Sequence, residues 1–297
     1  MRRTRSAGVV LAAVLVGFGL TVAVPAVATA DNLGGVIVAD MNNDGILDQV
    51  QLGDVGGPLS TTCSVTVSPG KAGGGLGKPT VHTYTSPEQF GPFCPDEGVA
   101  MKLGNDKKPD LVTAADFGFR DLIVLHDFLP TAIFDGVTQP TWLRTADLNG
   151  DGRQDLIEWS DQVTDLATMI NTPQGTLVPG PINVSTLRSG GTGSGFGPQY
   201  VLADFNGDGG QDMLMSVNNQ MSENTPISAE VFFGNGQAPA VLASTTDFLA
   251  TWTVFSIDIN FDGIPDAGVI EKSHAGVTTV QYFQNDGAGH FTLVTTA

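Results

Sequence analysis

Beyond residue 30 the apolar positions fall in short runs broken by glycine, asparagine and aspartate, and the runs recur in a fixed order. One set, residues 36–39, 142–146, 200–203 and 254–257, leads into an Asp-rich segment. A second set, 49–52, 156–159, 213–217 and 267–270, leaves it. In the last unit a third run, 278–283, precedes the turn-rich Asn285-Asp286-Gly287-Ala288-Gly289, and a short run, 291–294, follows. Runs rich in β-branched and aromatic residues between turn residues predict strands. A helical period of apolar residues is absent past residue 30, so the chain reads as all-β.

The Asp-rich segment is itself a repeat. Asp40-Met41-Asn42-Asn43-Asp44-Gly45-Ile46-Leu47-Asp48 returns as Asp147-Leu148-Asn149-Gly150-Asp151-Gly152-Arg153-Gln154-Asp155. It returns again as Asp204-Phe205-Asn206-Gly207-Asp208-Gly209-Gly210-Gln211-Asp212 and as Asp258-Ile259-Asn260-Phe261-Asp262-Gly263-Ile264-Pro265-Asp266. The steps between the four copies are 107, 57 and 54 residues, so the first gap has room for a fifth. Lys102-Leu103-Gly104-Asn105-Asp106-Lys107-Lys108-Pro109-Asp110 fills it, keeping the third and last Asp but lacking the first Asp, the Asn and the Gly. A second register for this degenerate copy, from Asp116 to Asp121, spaces the units less evenly. Residues 31–297 divide into five periods of 53.4, giving units of about 31–98, 99–140, 141–197, 198–251 and 252–297. Three to four strands per period predict blades around an axis, a β-propeller of about five four-stranded blades. The fit of five periods to the length favours a self-contained ring.

Spacing gives the loops their chemistry. Carboxylates and amides at positions 1, 3, 5 and 9 converge if the chain turns tightly at position 6, where Gly permits the backbone angles required. The expected ligands are Asp40, Asn42, Asp44 and Asp48; Asp147, Asn149, Asp151 and Asp155; Asp204, Asn206, Asp208 and Asp212; and Asp258, Asn260, Asp262 and Asp266. Position 7 adds its carbonyl, from Ile46, Arg153, Gly210 and Ile264, residue types as different as a backbone ligand allows. Oxygen-only donors suit Ca²⁺, and no Cys or His lies in the four loops to suggest zinc or copper. Two carboxylates about 5 Å apart repel by roughly 3 kcal/mol at an effective dielectric of 20. A cation is therefore expected in each of the four intact loops. An EF-hand is excluded because position 12, which needs a bidentate Glu, holds Gln51, Glu158, Met215 and Val269.

In order and content these units resemble FG-GAP/VCBS repeats, through Asp-x-Asn-x-Asp-Gly-x-x-Asp entering a strand and Asn285-Asp286-Gly287-Ala288-Gly289-His290-Phe291 late in the unit. The turn Phe233-Gly234-Asn235-Gly236 is a looser second match. The resemblance covers 31–297 and implies a propeller with calcium at blade edges, as in integrin α-subunits; that family commonly closes with seven blades. Lys102 and Gly104 stand where the degenerate copy would need ligands, which leaves its metal binding open.

The first thirty residues read as a cleaved signal peptide: Arg2, Arg3 and Arg5, an apolar stretch, then Ala28-Thr29-Ala30. They hold three of the thirteen basic residues and none of the thirty-one acidic ones, so 31–297 carries a formal charge of −21. That charge opposes nucleic acid and anionic membrane surfaces as partners. In an oxidising exterior Cys63 and Cys94 are expected to pair.

Catalytic motifs are missing: neither a Gly-x-Ser-x-Gly elbow nor a His-Glu-x-x-His is present, and His82, His126, His274 and His290 are scattered. Residues 72–79 nearly spell a phosphate loop but end in Pro79 where a hydroxyl is needed, and read better as a hairpin. The expectation is a secreted or wall-associated calcium-binding propeller, a non-catalytic binding or adhesion scaffold for a glycan or protein. The alternative is a carbohydrate-active enzyme with paired acids in a central funnel, Asp116, Asp121, Glu158 and Asp161 being the acids outside the loops to weigh first. Trp142, Trp159 and Trp252 could then form a sugar platform, although Trp in such strands more often belongs to a core.

Overall fold

The computed structural model describes residues 36–57, 60–87, 93–115, 121–137, 140–160, 165–184, 200–218, 227–247 and 250–294. The expected signal peptide, Asp116 and Asp161 lie outside them. Five antiparallel sheets of four strands follow one another along the chain, each in sequential order, the blades of a propeller. Blade 1 holds β1 (Val36–Ala39), β2 (Asp48–Asp54), β3 (Thr62–Ser68) and β4 (Thr80–Thr85). Blade 2 holds β5 (Glu97–Met101), β6 (Asp110–Ala114), β7 (Asp121–His126) and β8 (Leu129–Asp135). Blade 3 holds β9 (Trp142–Ala146), β10 (Asp155–Ser160), β11 (Asp165–Asn171) and β12 (Leu177–Val184). Blade 4 holds β13 (Tyr200–Ala203), β14 (Asp212–Asn218), β15 (Ile227–Phe232) and β16 (Ala240–Thr245). Blade 5 holds β17 (Thr251–Ile257), β18 (Asp266–Lys272), β19 (Thr278–Asn285) and β20 (Phe291–Val294).

Each second strand begins on the last Asp of a loop, and Asp110 opens β6 as Asp48, Asp155, Asp212 and Asp266 open the others. This fixes the degenerate copy at 102–110 and sets aside the register from Asp116. The later blades begin at Glu97, Trp142, Tyr200 and Thr251.

Strand alternation assigns the two faces of each blade. After the loop Asp, the next residue packs on the preceding blade and the one after it on the following blade. Leu111 thus joins the core shared with blade 1 and Val112 that shared with blade 3. Leu156 and Ile157 split the same way between blades 2 and 4, and Met213 and Leu214 between blades 3 and 5. Four such cores join the blades consecutively; no core among the described residues joins blade 5 to blade 1. The ring expected from length therefore has no closing interface of that kind among the described residues.

Cys63 and Cys94 form the disulfide, tying β3 to the segment that leads into blade 2. Trp159 and Trp252 are buried core residues, whereas Trp142 stacks on Tyr200 at the junction of blades 3 and 4. The stretch resembling a phosphate loop is a hairpin between β3 and β4, closed by Gly77 N–H donating to the Pro69 carbonyl.

Candidate functional sites at the loop edge

The four intact loops fold alike, each joining the first strand of its blade to the second. The first carboxylate takes two backbone amides: in blade 1, Asp44 N–H at 3.0 Å and Gly45 N–H at 2.8 Å donate to Asp40. Asn42 Oδ1 accepts the Asp44 N–H at 2.8 Å, and Asp44 Oδ1 accepts the Ile46 N–H at 2.8 Å. The same pattern is built on Asp147, Asn149 and Asp151, and on Asp258, Asn260 and Asp262. In blade 4 Asp204 takes the Gly207 and Gly209 amides. These turns hold the side-chain oxygens of positions 1, 3 and 5 on the amides of one short segment, a cradle whose donor set of carboxylates and an amide is of the kind Ca²⁺ takes. In blade 3 the Arg153 guanidinium pairs with Asp151, placing one cation beside that cradle.

Position 9 is different. Asp48, Asp155, Asp212 and Asp266 are buried, at most 1% exposed, and each carboxylate bridges two backbone segments. One oxygen accepts the amide of position 2 (Met41, Leu148, Phe205, Ile259) at 2.8–3.0 Å. The other accepts an amide at the end of the third strand (Gly70, Asn171, Gly234, Asn285) at 2.7–2.9 Å. The last Asp is thus a clamp that pins the loop to its blade, with lone pairs to spare toward a cation. Burial pushes Asp155 and Asp212 up to about 6 against the lowering effect of these bonds. Desolvated carboxylates beside other acids favour a positive charge nearby.

Sequence reasoning assigned the left-handed turn to position 6 alone. The structure puts position 4 there too: Asn43, Gly150, Gly207 and Phe261 have φ of 61°, 71°, 73° and 61°. Asn and Gly tolerate this conformation. Phe261 does so at a cost, and is 90% exposed.

Blade 2 departs from its neighbours. At the place where the other clamps take a backbone amide, Asp110 Oδ1 meets His126 Nδ1 at 2.7 Å. That contact raises the His126 pKa, while burial raises that of Asp110. Asp106, Asp110 and His126 each offer a ligand atom, all within 4.8 Å of one another. They line a cavity of about 370 Å³ against residues 173–175 of blade 3.

On its other side blade 2 meets blade 1 across a cavity of about 280 Å³, with Asn42, Thr80, His82, Lys108, Asp127 and Phe128 on its walls. The His82 and Phe128 rings lie 4.5 Å apart. Asp127 and Phe128 are the two central residues of the tight β7–β8 turn, at φ of 47° and 66°. Such a turn ordinarily takes Asn-Gly, so an aromatic held there is strained backbone at a cavity wall. Of the acids weighed for catalysis, Glu158 is fully buried, with Oε2 accepting the Val137 N–H at 2.9 Å and Oε1 unpartnered.

Residues 147–215, which include the intact loops of blades 3 and 4, match the FG-GAP-like repeat family. No curated protein matches the chain. Among solved structures it is similar to an Agrocybe aegerita lectin described in specific recognition of non-reducing terminal N-acetylglucosamine, at 16% identity and a TM-score of 0.46, over 87% of this chain and 64% of that one. It is also similar to a Bacillus licheniformis rhamnogalacturonan lyase, at 13% identity and a TM-score of 0.34, over 88% of this chain and 51% of that one. The chain therefore spans less than two thirds of either protein.

Proposed function

We propose that this FG-GAP repeat β-propeller is an exported, calcium-braced binding scaffold that recognises a glycan or a protein without catalysis. The observation that carries the proposal is the fourfold cradle: the same backbone amides orient the same side-chain oxygens in blades 1, 3, 4 and 5. In this reading one Ca²⁺ sits in each cradle, held by positions 1, 3 and 5 and the position 7 carbonyl, with the buried position 9 carboxylate behind. Four cations would bring the formal charge of 31–297 from −21 to −13 and remove the repulsion within each loop.

Recognition is assigned to the cavity between blades 1 and 2. Its aromatic pair offers a stacking surface, and Asn42, Thr80, Lys108 and Asp127 offer hydrogen bonds to hydroxyl or peptide groups. Asn42 belongs to the blade 1 loop, so calcium there would also fix one wall. The remaining negative charge makes nucleic acid and anionic membranes poor partners. The enzymatic alternative finds no support in Glu158, which does not reach solvent.

The test begins with chelator-stripped protein titrated with calcium. Four equivalents are expected, falling by one in Asp151→Ala, with a marked rise in melting temperature on loading. An unchanged melting temperature with no uptake would end the calcium assignment. Phe128→Ala is expected to abolish binding on a glycan or protein array while leaving calcium uptake intact; undiminished array binding would remove the cavity from the proposal.

A further inference from the structure

The degenerate loop of blade 2 has lost what calcium needs and acquired something the intact loops lack, a nitrogen donor. Lys102 and Gly104 replace the first two side-chain ligands, and Lys107 replaces the turn glycine. His126, at the end of β7, brings its imidazole to Asp110.

Asp110 supplies the second observation. Its side chain is 5% exposed, and in the intact loops both oxygens of the equivalent Asp are bonded to backbone amides. Here one oxygen meets His126, and among the described residues no hydrogen bond reaches the other. A carboxylate more than nine-tenths buried, with an unpartnered oxygen, therefore lines the cavity that Asp106 and His126 also line. The loop is held in place from blade 3, where Asn171 accepts the Gly104 N–H at 2.8 Å and donates to the Lys102 carbonyl at 2.7 Å. Lys108 lines the opposite cavity, on the blade 1 side.

We infer that Asp106, Asp110 and His126 form a binding site for a borderline divalent cation of the zinc class, distinct from the calcium loops. Two carboxylate oxygens and one imidazole nitrogen are a three-ligand set of the kind zinc accepts, with the fourth position left to water or to a ligand group in the cavity. Tetrahedral zinc separates its ligand atoms by about 3.4 Å, given bond lengths of about 2.1 Å. The three donors all lie within 4.8 Å of one another, a spacing of that order. Imidazole favours zinc over calcium, which prefers six or more oxygens. Its place between blades 2 and 3 would make the bound ion an exposed coordination point rather than a brace.

The experiment uses the full chain after export, saturated with calcium and titrated with ZnCl₂ by calorimetry, with Co²⁺ absorption as the spectroscopic reporter. One equivalent of zinc is expected to bind in the presence of excess calcium, and Co²⁺ to give the intense visible bands of a tetrahedral site. His126→Asn and Asp106→Asn are each expected to weaken zinc by about tenfold to a hundredfold or more, at least the loss seen when a supporting group is removed. Calcium stoichiometry should stay unchanged. Because His126 also closes the Asp110 clamp, Asp106→Asn, which leaves the clamp intact, is the decisive variant. Absence of zinc uptake, displacement of zinc by calcium, or full zinc affinity in Asp106→Asn would each overturn the inference, and none of these results bears on the calcium loops.

Discussion

Glu158 sits in β10 with no exposure, one oxygen bonded to the Val137 amide and the other unpartnered. Burial is the main cause that pushes its pKa up to about 7 from 4.5; the Val137 amide lowers it, and the Asp135 charge adds to the rise. The folded state therefore holds this proton to a higher pH than the unfolded state does. Stability then falls as pH rises from about 4.5 to about 7, with the full penalty present above that window and none below it. At about 1.4 kcal/mol per pH unit, the loss between pH 5 and pH 8 comes to roughly 2 to 3 kcal/mol. Glu158→Gln removes the titration and keeps an acceptor for Val137, but replaces the unpartnered oxygen by an unpartnered amide, a cost of about 1 kcal/mol or more. The variant should be slightly less stable than wild type at pH 5 and more stable at pH 8, the two denaturant-midpoint curves crossing in between. Both proteins are measured at saturating calcium, so that contributions from the loop acids are common to the pair. Parallel curves across this range would show that the carboxylate is not desolvated as described.

Two further perturbations probe the loops. Phe261→Gly relieves a left-handed Phe at the position held by Gly150 and Gly207 in blades 3 and 4, and should raise stability by about 0.5 to 1 kcal/mol after the entropy of glycine is deducted; a lower melting temperature would contradict the strain. Asp266→Asn sets an amide donor against one of the two backbone amides of the clamp, Ile259 or Asn285, and should cost about 1 to 3 kcal/mol both in calcium and in chelator; a loss seen in calcium alone would make position 9 a ligand and no clamp.

Much of this was legible in the sequence because a repeat multiplies weak evidence. The period placed the blades, and the runs read as leaving the loops began one residue after the true start of each second strand, which is the loop Asp itself, because its carboxylate bridges two backbone amides. The Cys63–Cys94 pairing was expected from a count of two cysteines and an expected oxidising exterior, and the structure joins the two. What stayed hidden depends on contacts between units. Nothing in the spacing of His126 relates it to Asp110, sixteen residues away, until β6 and β7 pair. His82 and Phe128 lie on different blades, and only the packing of blade 1 on blade 2 sets their rings together. The looser motif Phe233-Gly234 is explained by a steric limit that no pattern states: a Cβ on Gly234 would come within 1.9 Å of the Leu148 carbonyl oxygen of the blade before it. Asn171 and Asn285 serve the same place by reaching across to the neighbouring loop, Asn285 donating to the Phe205 carbonyl at 2.7 Å.

The two ends of the blade series are finished differently, and this bears on how the loops act. In blades 2 to 5 the residue after the loop Asp is apolar (Leu111, Leu156, Met213, Ala267) because a preceding blade covers it. In blade 1 the same face carries Gln49 and Gln51, with Ser64 and Thr66 beside them across the sheet. That is a face suited to water. At the other end Gly268 stands where Val50, Val112, Ile157 and Leu214 pack on a following blade, and the Phe255 ring lies over it, edge-on to Tyr282 at 6.0 Å. Blade 5 thus covers its own outer face with an aromatic pair. Among the described residues no core joins these two faces, and cohesion runs from each blade to the next. In such a series stability is close to a sum of units and nearest-neighbour interfaces. A cation bound at one loop would then brace its own blade and, through the Asn171 and Asn285 latches, the loop of the blade before it. Blade 2, lacking a calcium cradle, depends on the clamp of Asp110 and His126 and on its neighbours. The two cavities described both flank this blade, the one whose loop has lost the repeated ligand positions.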